Sequence, residues 1–234
     1  MYILLVNHLA GVNIMLAWLI GWIASNAFLH RKFLEYFCAS EIVRQFEKER
    51  SISIEDLKTE VFGKHWQDET WHELLRLIAG MIEPKFVSEI LDYLMVQDGE
   101  EEKFLNLFLA AKCFAEVRNR SVIAPVGNKL FNKLKDLTKY DLWYYYRSAK
   151  YEETKLVKEI RTQAVATIAA IWKDNRDVLR WLKDRATADN DEDVRGAAIE
   201  ALASNFKDDP YTRTFLKDRA TADNLVSFNL LAST

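Results

Sequence analysis

The chain superposes on itself at a spacing of 34 residues. With Arg161 set against Arg195, RTQAVATIAAIWKDNRDVLRWLKDRATADN lies over RGAAIEALASNFKDDPYTRTFLKDRATADN, and LKDRATADN recurs unchanged from Leu182 and from Leu216. A fixed period of this size marks a stacked solenoid, in which each unit buries on its neighbours the apolar face it cannot bury alone. Each unit reads as two helices. In the last full unit the first helix starts at Asp193, with Asp191 or Asp193 as its cap. Its inward stripe is Val194, Ala197, Ala198, Ala201 and Leu202, and the alanines permit close approach of a neighbouring helix. A turn at Lys207-Asp208-Asp209-Pro210 follows, since proline can begin a helix but not continue one. The second helix is expected to bury Phe215 and Leu216. In the preceding unit Ile160, Ala164, Val165, Ile168, Ala169, Trp172, Trp181 and Leu182 take the matching places. LVSFNLLAST, from Leu225, reads as the first helix of a further unit. The array then lacks an obvious polar cap, as in a truncated product or one whose end a partner covers.

Composition agrees with helices. Only 7 Gly and 3 Pro occur among 234 residues, which argues against a turn-rich β protein. The expected fold is all-α: an α-solenoid of stacked helix pairs in a right-handed superhelix. Earlier pairs are legible at 71–96 and 102–138. Trp71, Leu74, Leu75, Ile78 and Met81 form one stripe, Pro84 opens the next helix, and Val87, Ile90, Leu91 and Leu94 continue it. Gly99 separates that pair from helices over 102–118 and 124–138. Further upstream, Phe33, Leu34, Phe37, Cys38 and Ile42 fall on one helical face, with Glu35 and Arg44 on the other, and Ser53 with Asp56 reads as a capping box. The net charge of −3 carries no basic excess, so no nucleic-acid partner is expected.

Residues 1–29 contain no Asp, Glu, Lys or Arg. The run 9–28 is long enough to cross a bilayer, and Arg31-Lys32 behind it would hold the rest of the chain in the cytoplasm. Asn7, His8, Asn13 and Asn26 suit a buried helix better than lipid. Ser25-Asn26-Ala27 is tolerable as a signal-peptide cleavage site, though no basic residue precedes the apolar stretch. All three readings stand.

Asp191-Glu192-Asp193-Val194-Arg195-Gly196-Ala197-Ala198-Ile199-Glu200-Ala201-Leu202 is similar to the HEAT-repeat signature, and the LKDRATADN units resemble repeats of bacterial, especially cyanobacterial, multidomain proteins. A second resemblance lies at Phe28-Leu29-His30-Arg31-Lys32-Phe33-Leu34-Glu35-Tyr36-Phe37-Cys38-Ala39, which looks like the end of the nucleotide-binding module of NACHT-type signalling ATPases. VFGKHWQDETWHELLRLIAGMI looks like the linker that bacterial members carry ahead of their repeats. That resemblance implies a nucleotide contact at His30 only if an ATPase module is present. No GxxxxGK[ST] loop occurs in the chain, so it implies a C-terminal remnant or a stand-alone relative. The domains expected are the apolar segment 1–29, a helical remnant over 30–65, and a HEAT-like solenoid over 66–234.

Little in the chain suggests catalysis. His65 and His72, seven apart, would share a face of one helix as a zinc pair, but HExxH is absent and a structural role beside Trp66 and Trp71 is the expectation. Asp189, Asp191 and Asp193 with Glu200 mimic a calcium loop, but Val194 stands where such a loop needs Gly, and helix capping explains the aspartates. Cys38 and Cys113 sit in apolar helical patterns and read as buried, reduced thiols. No catalytic residue, metal or cofactor is expected. The expected function is a non-catalytic scaffold that holds protein partners along the concave surface, through Arg176, Arg180 and Lys183 in one unit and Tyr211, Arg213 and Lys217 in the next. Trp143, Tyr144 and Tyr145 form a second candidate patch. The resemblance to HEAT-like bilin lyases and chaperone-like subunits of phycobiliprotein maturation implies an alternative, with a tetrapyrrole near residues 143–146. A membrane-tethered adaptor held by residues 9–28 is another. The expected location is the cytoplasm, with the inner membrane face if that segment spans.

Overall fold

The computed structural model describes residues 29–141 and 151–232, with side chains over 31–141 and 154–221. The protein is all-helical, and no strand occurs among the described residues. Two compact units divide the chain, residues 1–130 and 131–234. No helix among the described residues is long and apolar enough to cross a membrane. The apolar run 9–28 lies outside the described residues.

The first unit contains α1 (Leu29–Arg44), α2 (Ile54–Asp56), α3 (His72–Met81), α4 (Pro84–Met95), α5 (Leu105–Glu116) and the start of α6 (Ala124–Leu137). Local rules set many of its boundaries. Ser53 and Asp56 form a full capping box ahead of α2, each side chain accepting the other's backbone N–H. Pro84 opens α4, where its missing N–H costs nothing. Leu74, Leu75, Ile78, Val87, Ile90, Leu91 and Leu94 are all fully buried, as their spacing predicts. Each such burial stabilises by about 1.5–3 kcal/mol. α5 packs against both α3 and α4. The half-buried Arg76 on α3 adds direction to that contact through its ion pair with Glu116 on α5. Gly99 lies so close to the buried Asn106 that a Cβ there would meet its Oδ1 at 2.0 Å. Asn106 in turn donates to the carbonyls of Leu94 and Gln97, both at 2.9 Å, and so ties the α4–α5 loop to the end of α4.

α1 departs from the predicted face. Its buried residues are Glu35, Cys38, Ala39 and Ile42, whereas Phe33 and Phe37 stand 52% and 41% exposed. The turn of the helix follows from what packs on it: α1 lies against α3, and the small side chains of Cys38 and Ala39 allow that approach where the aromatics would block it. Glu35, expected in water, is buried and accepts from Arg31 Nε at 2.9 Å.

The second unit holds the repeat: α7 (Tyr151–Ile171), α8 (Arg176–Ala188), α9 (Glu192–Asn205) and α10 (Pro210–Ala232). α7 and α9 end 34 residues apart, and so do the starts of α8 and α10. Hydrogen bonds repeat with the same offset. Trp172 and Phe206 each donate to the carbonyl four residues back at 3.1 Å. Asn175 caps α8, and Asp209 accepts from the Thr212 N–H at the head of α10. Thr187 and Thr221 each donate a hydroxyl proton to the carbonyl four back. Ile160/Val194, Ala164/Ala198, Ile168/Leu202 and Val178/Thr212 are buried in both copies. α9 packs against both α7 and α8.

Asp191 organises this unit. It caps α9 by accepting from the N–H groups of Asp193, at 2.8 Å, and Val194, and it pairs with Arg161 of α7. The same guanidinium donates to the Tyr140 carbonyl at 2.6 Å. Position 34 residues after Asp191 is Leu225, which has no capping oxygen. α10 accordingly runs unbroken to Ala232, and the further helix expected at Leu225 does not start there. A second correction concerns Phe215 and Leu216, expected in the core: both are only half-buried, while Thr212 is fully buried.

Replacing Asp191 with Ala is expected to lower the unfolding free energy of the chain by roughly 1–2 kcal/mol, the cost of a lost helix cap. Asp191→Asn, which keeps a capping oxygen, should cost less. Urea unfolding followed by circular dichroism at pH 7 measures both.

Candidate functional site

The six residues named on the second helices of the repeat resolve into three groups. Arg176 and Arg180 are exposed on the side of α8 turned away from the buried Val178, Leu182 and Ala186. Arg180 lies 3.6 Å from Asp177, but both side chains stand in water, at 76% and 84% exposure, so the pair holds neither in place. On α10, Arg213 and Lys217 form a second exposed basic pair one turn apart, at the positions that match Leu179 and Lys183 of α8. Lys183 belongs elsewhere. Its side chain is only 23% exposed, its Nζ lies 3.4 Å from the Asp209 carboxylate, and it sits 5.9 Å from the Phe215 ring centre. It clasps one helix pair to the next. Tyr211 is 79% exposed but lies about 200° around α10 from Arg213, on a different flank. Trp143, Tyr144 and Tyr145 lie outside the described residues, and so does the side chain of His30, whose backbone is in α1.

Two concave features were not anticipated. A cleft of about 390 Å³ opens between the turns that join the helices of each pair, with Lys173, Asp174, Asn175 and Arg176 on one side and Asp208 and Asp209 on the other. The Thr212 hydroxyl, then its backbone N–H and the Lys183 ammonium, hold the Asp209 carboxyl below the usual carboxylate range despite some desolvation. A shallower groove of about 640 Å³ runs between α7 and α9 over Ala166, Ala170 and Ala197, with Glu159 and Glu200 on its walls. Repetition of KDNRD as KDDPY at the turns was the available signal for the cleft. Ala197 was expected on the inward stripe of α9, but it is only half-buried and lines this groove beside the exposed Ala166 and Ala170. In the first unit, Phe33, Tyr36 and Phe37 make an exposed aromatic face on α1.

The chemical suspects have structural work. His65 and His72 do not share a helix, because the chain turns at Trp66–Asp68 and passes through a 3-10 turn, Glu69–Trp71, between them. His65 stacks on Trp71, with ring centres 3.8 Å apart and planes 7° apart. His72 is buried with Nε2 2.7 Å from the Trp66 carbonyl. Nε2 therefore carries the donated proton, and the buried Nδ1 has no hydrogen-bond partner. Burial, opposed by the Trp66 carbonyl and nearby carboxylates, pushes the His72 imidazole below its ordinary pKa. Burial does the same to His65, against Asp68. Among the described residues no group of three or more His, Cys, Asp or Glu is placed to hold a metal ion. Asp189 pairs with Arg185 at 3.0 Å and Asp193 with Lys158 at 2.6 Å. Burial works against the ionised form of Asp191, but Arg161 and the backbone N–H groups of Val194 and Asp193 prevail and hold its carboxyl below the usual range. Burial raises the thiols of Cys38 to about 11 and Cys113 to about 12, which leaves both protonated and unreactive near neutrality.

Comparison of the chain with protein-family models, with curated proteins and with solved structures finds no match.

The two histidines make stability depend on pH. Both have depressed pKa values in the folded state, so the unfolded chain takes up more protons below its ordinary imidazole value of 6.5. Their stabilising effect is complete above that value and is lost as pH falls through it. Unfolding free energy is expected to drop between pH 7.5 and pH 5.5, with a shallower slope in His72→Gln. Denaturant titrations at several pH values measure the slope, and an equal slope in the variant would remove His72 from this account.

Proposed function

We propose that this chain is a non-catalytic scaffold: HEAT-like helix pairs stacked as a right-handed solenoid, holding a protein partner along their second helices. The observation that carries this reading is the stripe of exposed arginines on α8, Arg176 and Arg180, with a further exposed basic pair, Arg213 and Lys217, on the repeated helix α10. Stacking is supported by the packing within each unit, where the first helix of a pair lies against both helices of the pair before it. A stack of this kind offers an extended surface, and Arg is favoured where interfaces concentrate their energy. The stripe calls for a partner with an acidic face. The resemblance of residues 28–39 to the end of a NACHT module supports a place beside a signalling ATPase, as a partner or as part of the same protein.

Arg176 and Arg180 form no buried contact, so reversing both to Glu should change stability by only about 0.5 kcal/mol or less. With the full chain as bait, the double variant is expected to capture the specific protein partner roughly tenfold or more weakly, the loss of about 1.4 kcal/mol or more that interface arginines can account for. Undiminished capture would remove the stripe as the binding surface. Bound pigment or nucleotide with no protein partner would overturn the scaffold reading.

A further inference from the structure

The two copies of the repeat differ in one systematic way. At positions facing into each helix pair, both copies are buried, as described for Ile160/Val194, Ala164/Ala198, Ile168/Leu202 and Val178/Thr212. At a second set the first copy is buried and the second is not. Val165, Ala169, Leu182 and Ala186 are all 0% exposed. Their counterparts are the half-buried Ile199 and Leu216 and the exposed Ala203 and Ala220. The fifth difference is ionic. Lys183 reaches Asp209 at the head of the next pair's second helix, whereas its counterpart Lys217 is exposed and makes no ion pair among the described residues.

The first copy shows what covers this face. α9, the first helix of the following pair, packs on α7 and α8. Two aspartates at helix heads then fix that pair: Asp191, at the head of α9, pairs with Arg161, and Asp209, at the head of α10, takes Lys183. The second copy retains both cations, as Arg195 and Lys217. Arg195 is meanwhile turned onto the carbonyls of Asp189 and Asn190. The apolar and cationic parts of a pair-binding face are therefore present a second time, with neither covering helix nor helix-head carboxylate on them among the described residues.

We propose that the face formed by Ile199, Ala203, Leu216, Lys217 and Ala220 docks a further helix pair of the same 34-residue type, supplied by a partner protein and carrying an aspartate at the head of each helix. This rests on the scaffold reading and gives it a second surface, distinct from the Arg176–Arg180 stripe. The small side chains of Ala203 and Ala220 let a helix approach as closely as α9 approaches Ala169 and Ala186. Lys217 selects the register through the carboxylate of the incoming second helix.

The test needs no knowledge of the natural partner. Residues 189–222, which carry Asp191 and Asp209 in the required places, are joined to the C-terminal end of the full chain by a long flexible linker. The linker presents this probe pair at high effective concentration. Amide hydrogen exchange at 199–203 and 216–220 of the parent chain is expected to slow about tenfold or more, the change produced by a contact of ordinary strength. Ala203→Arg in the parent should abolish the slowing. Lys217→Glu should reduce it, and Lys at the probe's Asp209 position should restore it in that background. Unchanged exchange at both segments with the probe attached would overturn the proposal, as would slowing that survives Ala203→Arg. Loss of capture by the Arg176/Arg180 variant leaves this result unaffected, so failure here and failure of the stripe can be told apart.

Discussion

The Asp191 carboxylate holds the repeat in register. Apolar burial is without direction, and the faces that meet between α7 and α9 are rich in alanine, so they could slide by a turn at little cost. Asp191 removes that freedom by binding two backbone N–H groups of α9 and the Arg161 guanidinium of α7 at once. A slip of one turn would leave a partly buried carboxylate and a partly buried guanidinium without partners, which costs far more than the contact contributes when made. Lys183 and Asp209 repeat the device, more weakly, at the second helices.

The first unit reaches order differently. Its helices carry Leu, Ile and Val at strict helical spacing, and shape alone orients them. Polar groups there mend specific breaks in the backbone. Asn106 satisfies the end of α4, the Ser53–Asp56 box starts α2, and the Trp66 carbonyl takes the proton of a histidine sealed from water. The contrast bears on function. A unit tied by exposed or half-exposed charges keeps arginines and lysines at its surface, and a partner can compete for them.

Much of this was legible in the residues. The helix ends at Pro84 and Pro210, the box at Ser53, the cap at Asp191 and the inward stripes of α3, α4, α7 and α9, apart from the half-buried Met81 and Ala197, follow from spacing and capping chemistry alone. What failed did so for tertiary reasons. Glu35 and the aromatics of α1 exchanged places because α3 accepts only the small side of that helix. Phe215 and Trp181 were both expected in the core and are both half-buried, whereas Leu216 is half-buried where its counterpart Leu182 is fully buried, because α9 packs on α8. Lys183 looked like Arg176 and Arg180 in sequence, and only the approach of Asp209 separates clasp from stripe.

The sequence by itself determined the helical class, the 34-residue period, most helix boundaries and which cations are available, since all of these depend on residues near one another along the chain. Tertiary structure decided which of those cations are committed, which alanines line grooves, and which apolar positions of the second copy stay uncovered. Those depend on what lies across a helix face, and identical residues such as the two copies of LKDRATADN meet different neighbours there.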